Sequence, residues 1–483
     1  MGSSTLDLIY GRSPQRITQV LATLVIALGP LATGLGKGYS SPALVSMQDS
    51  ATLNNTMEGM GFIIDQEQGS WVASLSLLGA FFGGIPGGMA MKFGRQKVIL
   101  AVALPFSLCW MLTVFANSVY MVYASSFLCG VCSAVIALVS PVYISEIAHP
   151  EIRGCLCSLA KLAGHVGMLL SFIVGGYVNW RQLAMIAAIA PAVLFVAVWA
   201  IPETPSYLLY ISKDEEAEAS YAWFNPGEDV SQEMQAMKEN IKAIKDENSM
   251  SCFKEWRQDL ARPILITCGL MIFQKFSGAN AFNFYAVPIL SEAFVGINPY
   301  NAAVVVGLLQ IVAGMVSSVL IDIVGRLPLL VVSNFLMSAA LAGFGTFMYI
   351  AGTYGVVGFW DWIPLSCALI FQIAFAIGIS PISWLYIGEL FPLKHRGLGA
   401  IANSVSYACS FVSVKTFVDF KQALGLHGSF WLYSGISVIG LIFTIAFVPE
   451  TKGKDLHERQ RKYTPQEKYT QIDEREIENK LIP

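Results

Sequence analysis

Two groups of residues in this chain place charge where charge is expensive. Lys275 falls near the middle of a long apolar run. Lys161 and His165 fall four apart in another run, so both project from one helical face. An ionisable side chain inside an apolar span is costly to hold there and marks a functional site by default. No Asp or Glu lies in mid-run to neutralise these lysines; Glu292, Asp361 and Asp419 fall at the ends of runs. Three chemistries fit. Lysines facing a wet cavity attract an anionic or carboxylate-bearing solute. Neutral or hydrated lysines donate hydrogen bonds to an uncharged solute. Side chains can also snorkel to an interface, an account that suits Lys161 better than Lys275 and is expected for Lys37 and Lys415 near the ends of their runs.

A second group is charged and repeated. Phe93-Gly94-Arg95-Gln96-Lys97 has a counterpart in Val324-Gly325-Arg326-Leu327, with Asp322 just before it. Tyr143-Ile144-Ser145-Glu146, with Arg153-Gly154 seven residues after the Glu, is matched by Tyr386-Ile387-Gly388-Glu389 with Arg396-Gly397. Pro202-Glu203-Thr204-Pro205 is matched by Pro449-Glu450-Thr451-Lys452. A Gly-Arg pair makes a tight turn carrying a fixed charge, and Glu with Arg can join neighbouring helix ends through bidentate bonds. Arg95, Glu146, Arg153, Asp322, Arg326, Glu389 and Arg396 are therefore expected to form a conformational latch, made in one state and broken in another. Surface anchoring is the plainer alternative, and the matched set in both halves favours the latch.

The elements that must hold these residues follow from composition. Of 483 residues, 55% are hydrophobic and only 13% charged, about half the charge of a soluble protein. A bilayer core takes about 20 apolar residues per helix. Twelve stretches qualify: Ile17 to Tyr39, Trp71 to Met91, Val98 to Ala116, Tyr120 to Ile144, Ser158 to Val178, Gln182 to Ile201, Pro263 to Leu290, Asn301 to Ile323, Pro328 to Ala351, Trp362 to Ile387, Leu398 to Val418 and Phe430 to Val448. The fold class is an all-α polytopic membrane protein of two pseudo-symmetric six-helix halves. Its divisions are a cytoplasmic N-terminus (1–16), a first half (17–201), a cytoplasmic linker with short solvated helices (202–262), a second half (263–448) and a cytoplasmic tail (449–483). Repeats about 240 residues apart in parallel orientation place the solute path at the interface of the halves. With both termini inside, about 24 of the 30 Lys and Arg fall on the cytoplasmic side. The Ser40 to Ser70 loop is then external and carries the sequon Asn54-Asn55-Thr56, a glycosylation site.

Other functions fit poorly. There are no paired catalytic carboxylates, no nucleophile elbow and no P-loop, so no enzyme, cofactor or ATP-driven cycle is expected. Gly83-Gly84 and Gly87-Gly88 read as close helix packing. The net charge of −3 argues against nucleic acid. Scattered histidines suggest no metal site, and Cys129-x-x-Cys132 and Cys155-x-Cys157 read as ordinary buried thiols. The implied partners are a small solute and the lipid bilayer. A solute sensor on the same scaffold is the rival from another class.

These residues resemble a family. The chain is similar over nearly its whole length to the sugar porters of the major facilitator superfamily, and within them most similar to the insect facilitated trehalose transporters. The resemblance is carried by Pro141-x-Tyr143-x-x-Glu146, Arg153-Gly154, Pro202-Glu203-Thr204-Pro205, Gln274-x-x-Ser277-Gly278-x-Asn280, Asp322-x-x-Gly325-Arg326, Trp384, Glu389, Arg396-Gly397 and Pro449-Glu450-Thr451-Lys452-Gly453. Tyr39-Ser40-Ser41-Pro42-Ala43-Leu44, Lys415-Thr416-Phe417-Val418-Asp419 and Gly428-Ser429-Phe430-Trp431-Leu432 carry the subgroup. It implies alternating access by rocking of the halves. It also implies a substrate site of Gln274, Lys275 and Asn280, with Trp384 as an apolar platform and Lys161 and Gln310 completing the polar lining. Side-chain amides donate and accept as hydroxyls do. Gly278, Gly378 and Pro381 are the implied hinges. Departures from the family stand at Lys275 and Lys161 (usually Gln), Gln310 (usually Asn), Met91 (usually an acid), Ser126 and Ser206 (usually Arg). Gly36 replaces the acid of proton-coupled members, which argues for uniport.

Overall fold

A computed structural model describes residues 16–48, 62–226, 234–235, 237–238, 258–293, 298–354, 362–390 and 399–452. Asn54, Asp361 and Arg396 lie outside the described residues. The described residues fold into helices without strands.

The first half contains α1 (Ile17–Gln48), α2 (Gln66–Ala90), α3 (Arg95–Val114), α4 (Val119–Ile147), α5 (Pro150–Gly175) and α6 (Trp180–Val198). Two short helices follow, α7 (Pro205–Tyr210) and α8 (Asp214–Phe224). The second half contains α9 (Gln258–Phe276), α10 (Ala279–Phe284), α11 (Ala286–Ala293), α12 (Pro299–Val324), α13 (Arg326–Tyr354), α14 (Trp362–Ile377), α15 (Ile379–Leu390) and α16 (Gly399–Phe447). Among the described residues, ten runs are long and apolar enough to cross a membrane. The broken series α9–α11 supplies an eleventh crossing. The twelfth comes from α16, which reverses at Gly425 (φ 72°) and so contains two spans. Arg16 and Lys452 mark one face of the molecule, here the terminal face; the opposite face is the distal face.

Four differences from the sequence reading have physical causes. Helix α1 runs past Tyr39 to Gln48, so Ser40 to Gln48 is helix and not loop. That stretch looks polar, but its hydroxyls are used inside the protein. Ser41 Oγ accepts from the Val287 backbone N–H at 2.8 Å, and Tyr39 Oη donates to the Trp180 carbonyl at 3.2 Å. The seventh span is broken at Gly278 (φ 88°) and again at Tyr285, and the tenth at Gly378. The start of the linker is docked, not only solvated: Phe224 is fully buried beneath Tyr143, and Gln19 Nε2 donates to Asn225 Oδ1 at 2.6 Å. Of the paired glycines in α2, Gly83 packs on Val131 and Gly87 on Val135, whereas Gly84 and Gly88 face open space.

Small residues let helix backbones touch, the packing mode open to membrane helices. A Cβ on Gly34 of α1 would sit 1.9 Å from the Gly164 carbonyl oxygen of α5; one on Gly130 of α4 would sit 2.0 Å from the Ser76 carbonyl of α2.

The two halves meet at the distal face. Lys415 of α16 donates to Ser70 Oγ of α2 at 2.8 Å and lies 4.9 Å from the Trp71 ring centroid. Trp71 packs on Phe411. Lys415 therefore bridges the halves and does not snorkel. Across the other contact, Leu169 and Phe172 of α5 pack near Gly307 of α12. His165 and Lys161 continue the same stripe of α5 towards the terminal face, and both are exposed. The halves thus close over the distal end of the interface and open towards the terminal end.

Candidate functional site

Each half ends on the terminal face in the same network. Gly94 (φ 113°) and Gly325 (φ 110°) turn the chain into α3 and α13. Only a residue without Cβ fits there, because a Cβ would meet a Glu203 carboxylate oxygen at 2.5 Å or one of Glu450 at 3.0 Å. Those carboxylates take the first backbone donors of the following helix: Glu203 from Arg95 and Gln96, Glu450 from Arg326 and Leu327. Anionic acceptors suit a helix N-terminus. Arg95 Nη2 reaches Glu146 Oε1 at 2.7 Å, and Arg326 Nη2 reaches Glu389 Oε1 at 3.3 Å. Thr204 donates to Glu146 at 2.6 Å and Thr451 to Glu389 at 2.5 Å. Tyr143 and Tyr386 donate to the carbonyls of Pro202 and Pro449.

Of the expected latch residues, the structure brings Arg95 to Glu146 and Arg326 to both Glu389 and Asp322, the last at 3.4 Å with the aspartate exposed. It leaves Arg153 apart: that side chain is exposed and donates to the Ala148 carbonyl at 3.4 Å, not to Glu146. These ion pairs lie within a half. Glu203, Glu450, Thr204, Thr451, Tyr143 and Tyr386 were absent from the expected set, although all six stand inside the repeated signatures that could have flagged them.

Within the second half, the broken helices gather amides. Gln274 of α9 is 2% exposed, and its Nε2 donates to the carbonyls of Ile379 (3.1 Å) and Ser380 (2.9 Å) at the start of α15. Its Oε1 is buried without a protein partner. Asn280 of α10 donates to Ser410 Oγ at 3.1 Å. Gln310 of α12 donates to Asn283 Oδ1 (3.0 Å) and Gln372 Oε1 (2.6 Å), and Gln372 donates to Asn283 (3.3 Å). Asn283 and Gln372 were missed. Asn283 stands three residues after Asn280, one turn along, and Gln372 is a lone amide in a strongly apolar span.

The break at Gly378 is held by hydroxyls. Ser333 donates to the Ala374 carbonyl, which also accepts from the Gly378 backbone N–H, and Ser317 donates to the carbonyl of Ile377. A Cβ at Gly378 would strike the Ser333 side chain at 2.2 Å. Pro381 falls in the first turn of α15, where proline needs no kink.

Lys275 Nζ lies 5.8 Å from the Trp384 ring centroid. Lys161 and His165 stand exposed on α5. Lys37 lines a cavity beside Gly36, Ser126 and Tyr407. It therefore points inward and not, as position alone suggested, to an interface.

Two helical bundles of one design, joined at one end around a cavity lined mostly by the first half, with Phe284 and Tyr407 from the second, define a membrane transporter. Solved structures share this fold: the inward-open xylose transporter XylE from E. coli superposes with a TM-score of 0.75, covering 91% of this chain and 98% of that one at 23% identity. The chain belongs to the sugar (and other) transporter family, whose model matches residues 22–463. Among its relatives, the facilitated trehalose transporter Tret1 of Polypedilum vanderplanki is 38% identical over 92% of this chain and 88% of its own length. That of Apis mellifera ligustica is 36% identical over 94% and 89%.

Proposed function

We propose that the protein is a facilitative sugar uniporter of the cell membrane, with trehalose or glucose as neutral solutes, working by alternating access. What carries the reading is the polar cluster of Gln274, Asn280, Asn283, Gln310 and Gln372, gathered at breaks in two helices of the second half. Amides that donate and accept match vicinal hydroxyls, and Trp384 offers a sugar an apolar platform. The kinship with facilitated trehalose transporters supports the solute. Gly36, which lines the cavity where proton-coupled relatives of the family carry an acid, supports uniport.

In this reading the terminal face is cytoplasmic, in keeping with its Lys and Arg, and the conformation is inward-open. Arg153 joins Glu146 and Arg95 only when the terminal face closes. Uptake of labelled trehalose and glucose into proteoliposomes tests the function. The expected outcome is saturable equilibration that an imposed pH gradient does not turn into accumulation. Accumulation driven by that gradient would refute uniport, and absence of flux for both sugars would refute the neutral-sugar assignment.

A further inference from the structure

The cavity among α1, α2, α3 and α4, closed from the second half by Phe284 and Tyr407, has one charge on its wall. That charge is Lys37, whose side chain stands exposed there. No Asp or Glu lines the cavity, and Lys37 has no hydrogen-bond or ion-pair partner among the described residues. An ammonium at membrane depth is costly to leave without a counter-charge.

The other unused groups on the wall also donate. Trp110 is 4% exposed, and its indole N–H is buried with no acceptor. Its ring is held in place by Tyr39, edge-on at 4.9 Å between centroids, and by Phe106. Tyr39 Oη does not relieve it, because that hydroxyl donates to the Trp180 carbonyl. The hydroxyls of Ser40, Ser126 and Tyr407 have no partner among the described residues either. An ammonium and an indole N–H can only donate, and a hydroxyl can donate as well as accept. A fixed positive charge among unused donors complements a ligand that only accepts.

Size narrows the ligand. The cavity has about 70 Å³ of room, the space of about five waters. A halide with part of its hydration shell fits there. A hexose ring with its hydroxyls does not, and the amide cluster of the second half remains free for it.

We propose that this cavity is a binding site for a small monovalent anion of halide size, held by the Lys37 ammonium and the Trp110 indole N–H, with the Ser40, Ser126 and Tyr407 hydroxyls around it. The ion supplies the counter-charge that the fold withholds from Lys37. The site is separate from the amide cluster and does not depend on which sugar is carried.

Melting of the purified full-length protein tests it, with sodium chloride exchanged stepwise for sodium gluconate at constant ionic strength. Gluconate is too large to enter and serves as the reference. Chloride and bromide are expected to raise the melting temperature saturably, as a ligand of the native state does. Lys37→Met and Trp110→Phe should each shift the half-saturating chloride concentration upward by about tenfold or more, the loss of a hydrogen bond to a charged group. Trp110→Phe keeps a ring against Tyr39 and removes only the donor. Lys37→Arg should retain the response, and so should Lys92→Gln, which removes an exposed cation outside the cavity. Each variant is compared with itself in gluconate, so altered baseline stability does not imitate the effect.

Equal melting in chloride and gluconate at every step overturns the proposal. It leaves the sugar reading, which sugar flux decides, untouched. A chloride response that does not saturate, or that is unchanged in both Lys37→Met and Trp110→Phe, is a general salt effect and overturns the site as well. A saturable response lost in those two variants, in a protein that carries neither sugar, supports the site and counts only against the sugar assignment.

Discussion

At Glu203 and Glu450 a single carboxylate ties the end of one span to the start of another by accepting several backbone N–H groups. Glu203 is 7% exposed and takes donors from Arg95, Gln96 and Thr204. Glu203→Gln keeps the shape but removes the charge and turns one acceptor into a donor facing donors. Lost hydrogen bonds to a charged group cost about 1.5–3 kcal/mol, so the variant should melt several degrees lower in detergent. Melting at the parental temperature would contradict the role. At Glu450, partial burial pushes the carboxyl up, but backbone N–H donors from Lys452, Leu327, Arg326 and Thr451 outweigh it and hold it below the usual carboxylate value. An acid lowered on folding stabilises the fold above its ordinary titration range and loses that contribution as pH falls through its lowered value. The Glu450→Gln protein should thus lose less stability than the parent on acidification, measured as the shift in melting temperature between neutral and acidic buffer. The sequence disclosed these glutamates as repeated letters but not their role. A Pro-Glu-Thr at a span end looks like a surface acid until the Gly-Arg turn is folded against it.

Among the elements, the spans were legible because apolar length alone defines them, and the halves because their signatures recur at fixed spacing. Three features were not legible. Helix α1 hides its extension behind Ser40 and Ser41, whose hydroxyls find partners only in the assembled bundle. The breaks in α9–α11 and α14–α15 were suggested by glycines, but the break at Tyr285 went unread, although Pro288 has no N–H for the Phe284 carbonyl and so suits the first turn of a new helix. Lys37 and Lys415 were assigned to interfaces from position along the span, whereas rotation about the helix axis aims one into the cavity and the other at the opposite half. Helix crossings sharpen the same point. Gly34 and Gly435 look alike in sequence, yet a Cβ at Gly34 runs into the α5 backbone and one at Gly435 meets nothing within 4 Å. Backbone cannot yield as a side chain tip can, so overpacking at Gly34 should cost about 1–3 kcal/mol or more. Gly34→Ala is expected to lower the melting temperature and monodispersity of the purified protein, and Gly435→Ala to leave both as they are. Equal behaviour of the two variants would show that α1 and α5 do not pack through these glycines.

For the whole molecule, transport requires that the distal seal open while the terminal side closes, with each half moving as a body. The within-half networks at Glu146 and Glu389 suit rigid bodies, because they join span ends without crossing the interface. The seal includes Ser41 to Val287, Lys415 to Ser70 and Trp71, Trp71 to Phe411, and the approach of Gly176 to Tyr300. That last approach can be locked. A Cβ built on Gly176 lies 3.3 Å from the Tyr300 Cβ, close to the separation of about 3.5–4.5 Å that a disulfide spans. The double variant Gly176→Cys with Tyr300→Cys should therefore crosslink under mild oxidation and hold the distal face shut. Cysteine cannot supply the missing ring, so the reduced protein is the reference for activity. Flux should fall to background on oxidation and return on reduction. A cysteine introduced at Lys161 should stay open to labelling from the terminal side throughout, since that side is already open. If the crosslink forms quantitatively and flux continues, the two halves do not separate at this contact during transport, and the rocking motion inferred from the seal is wrong.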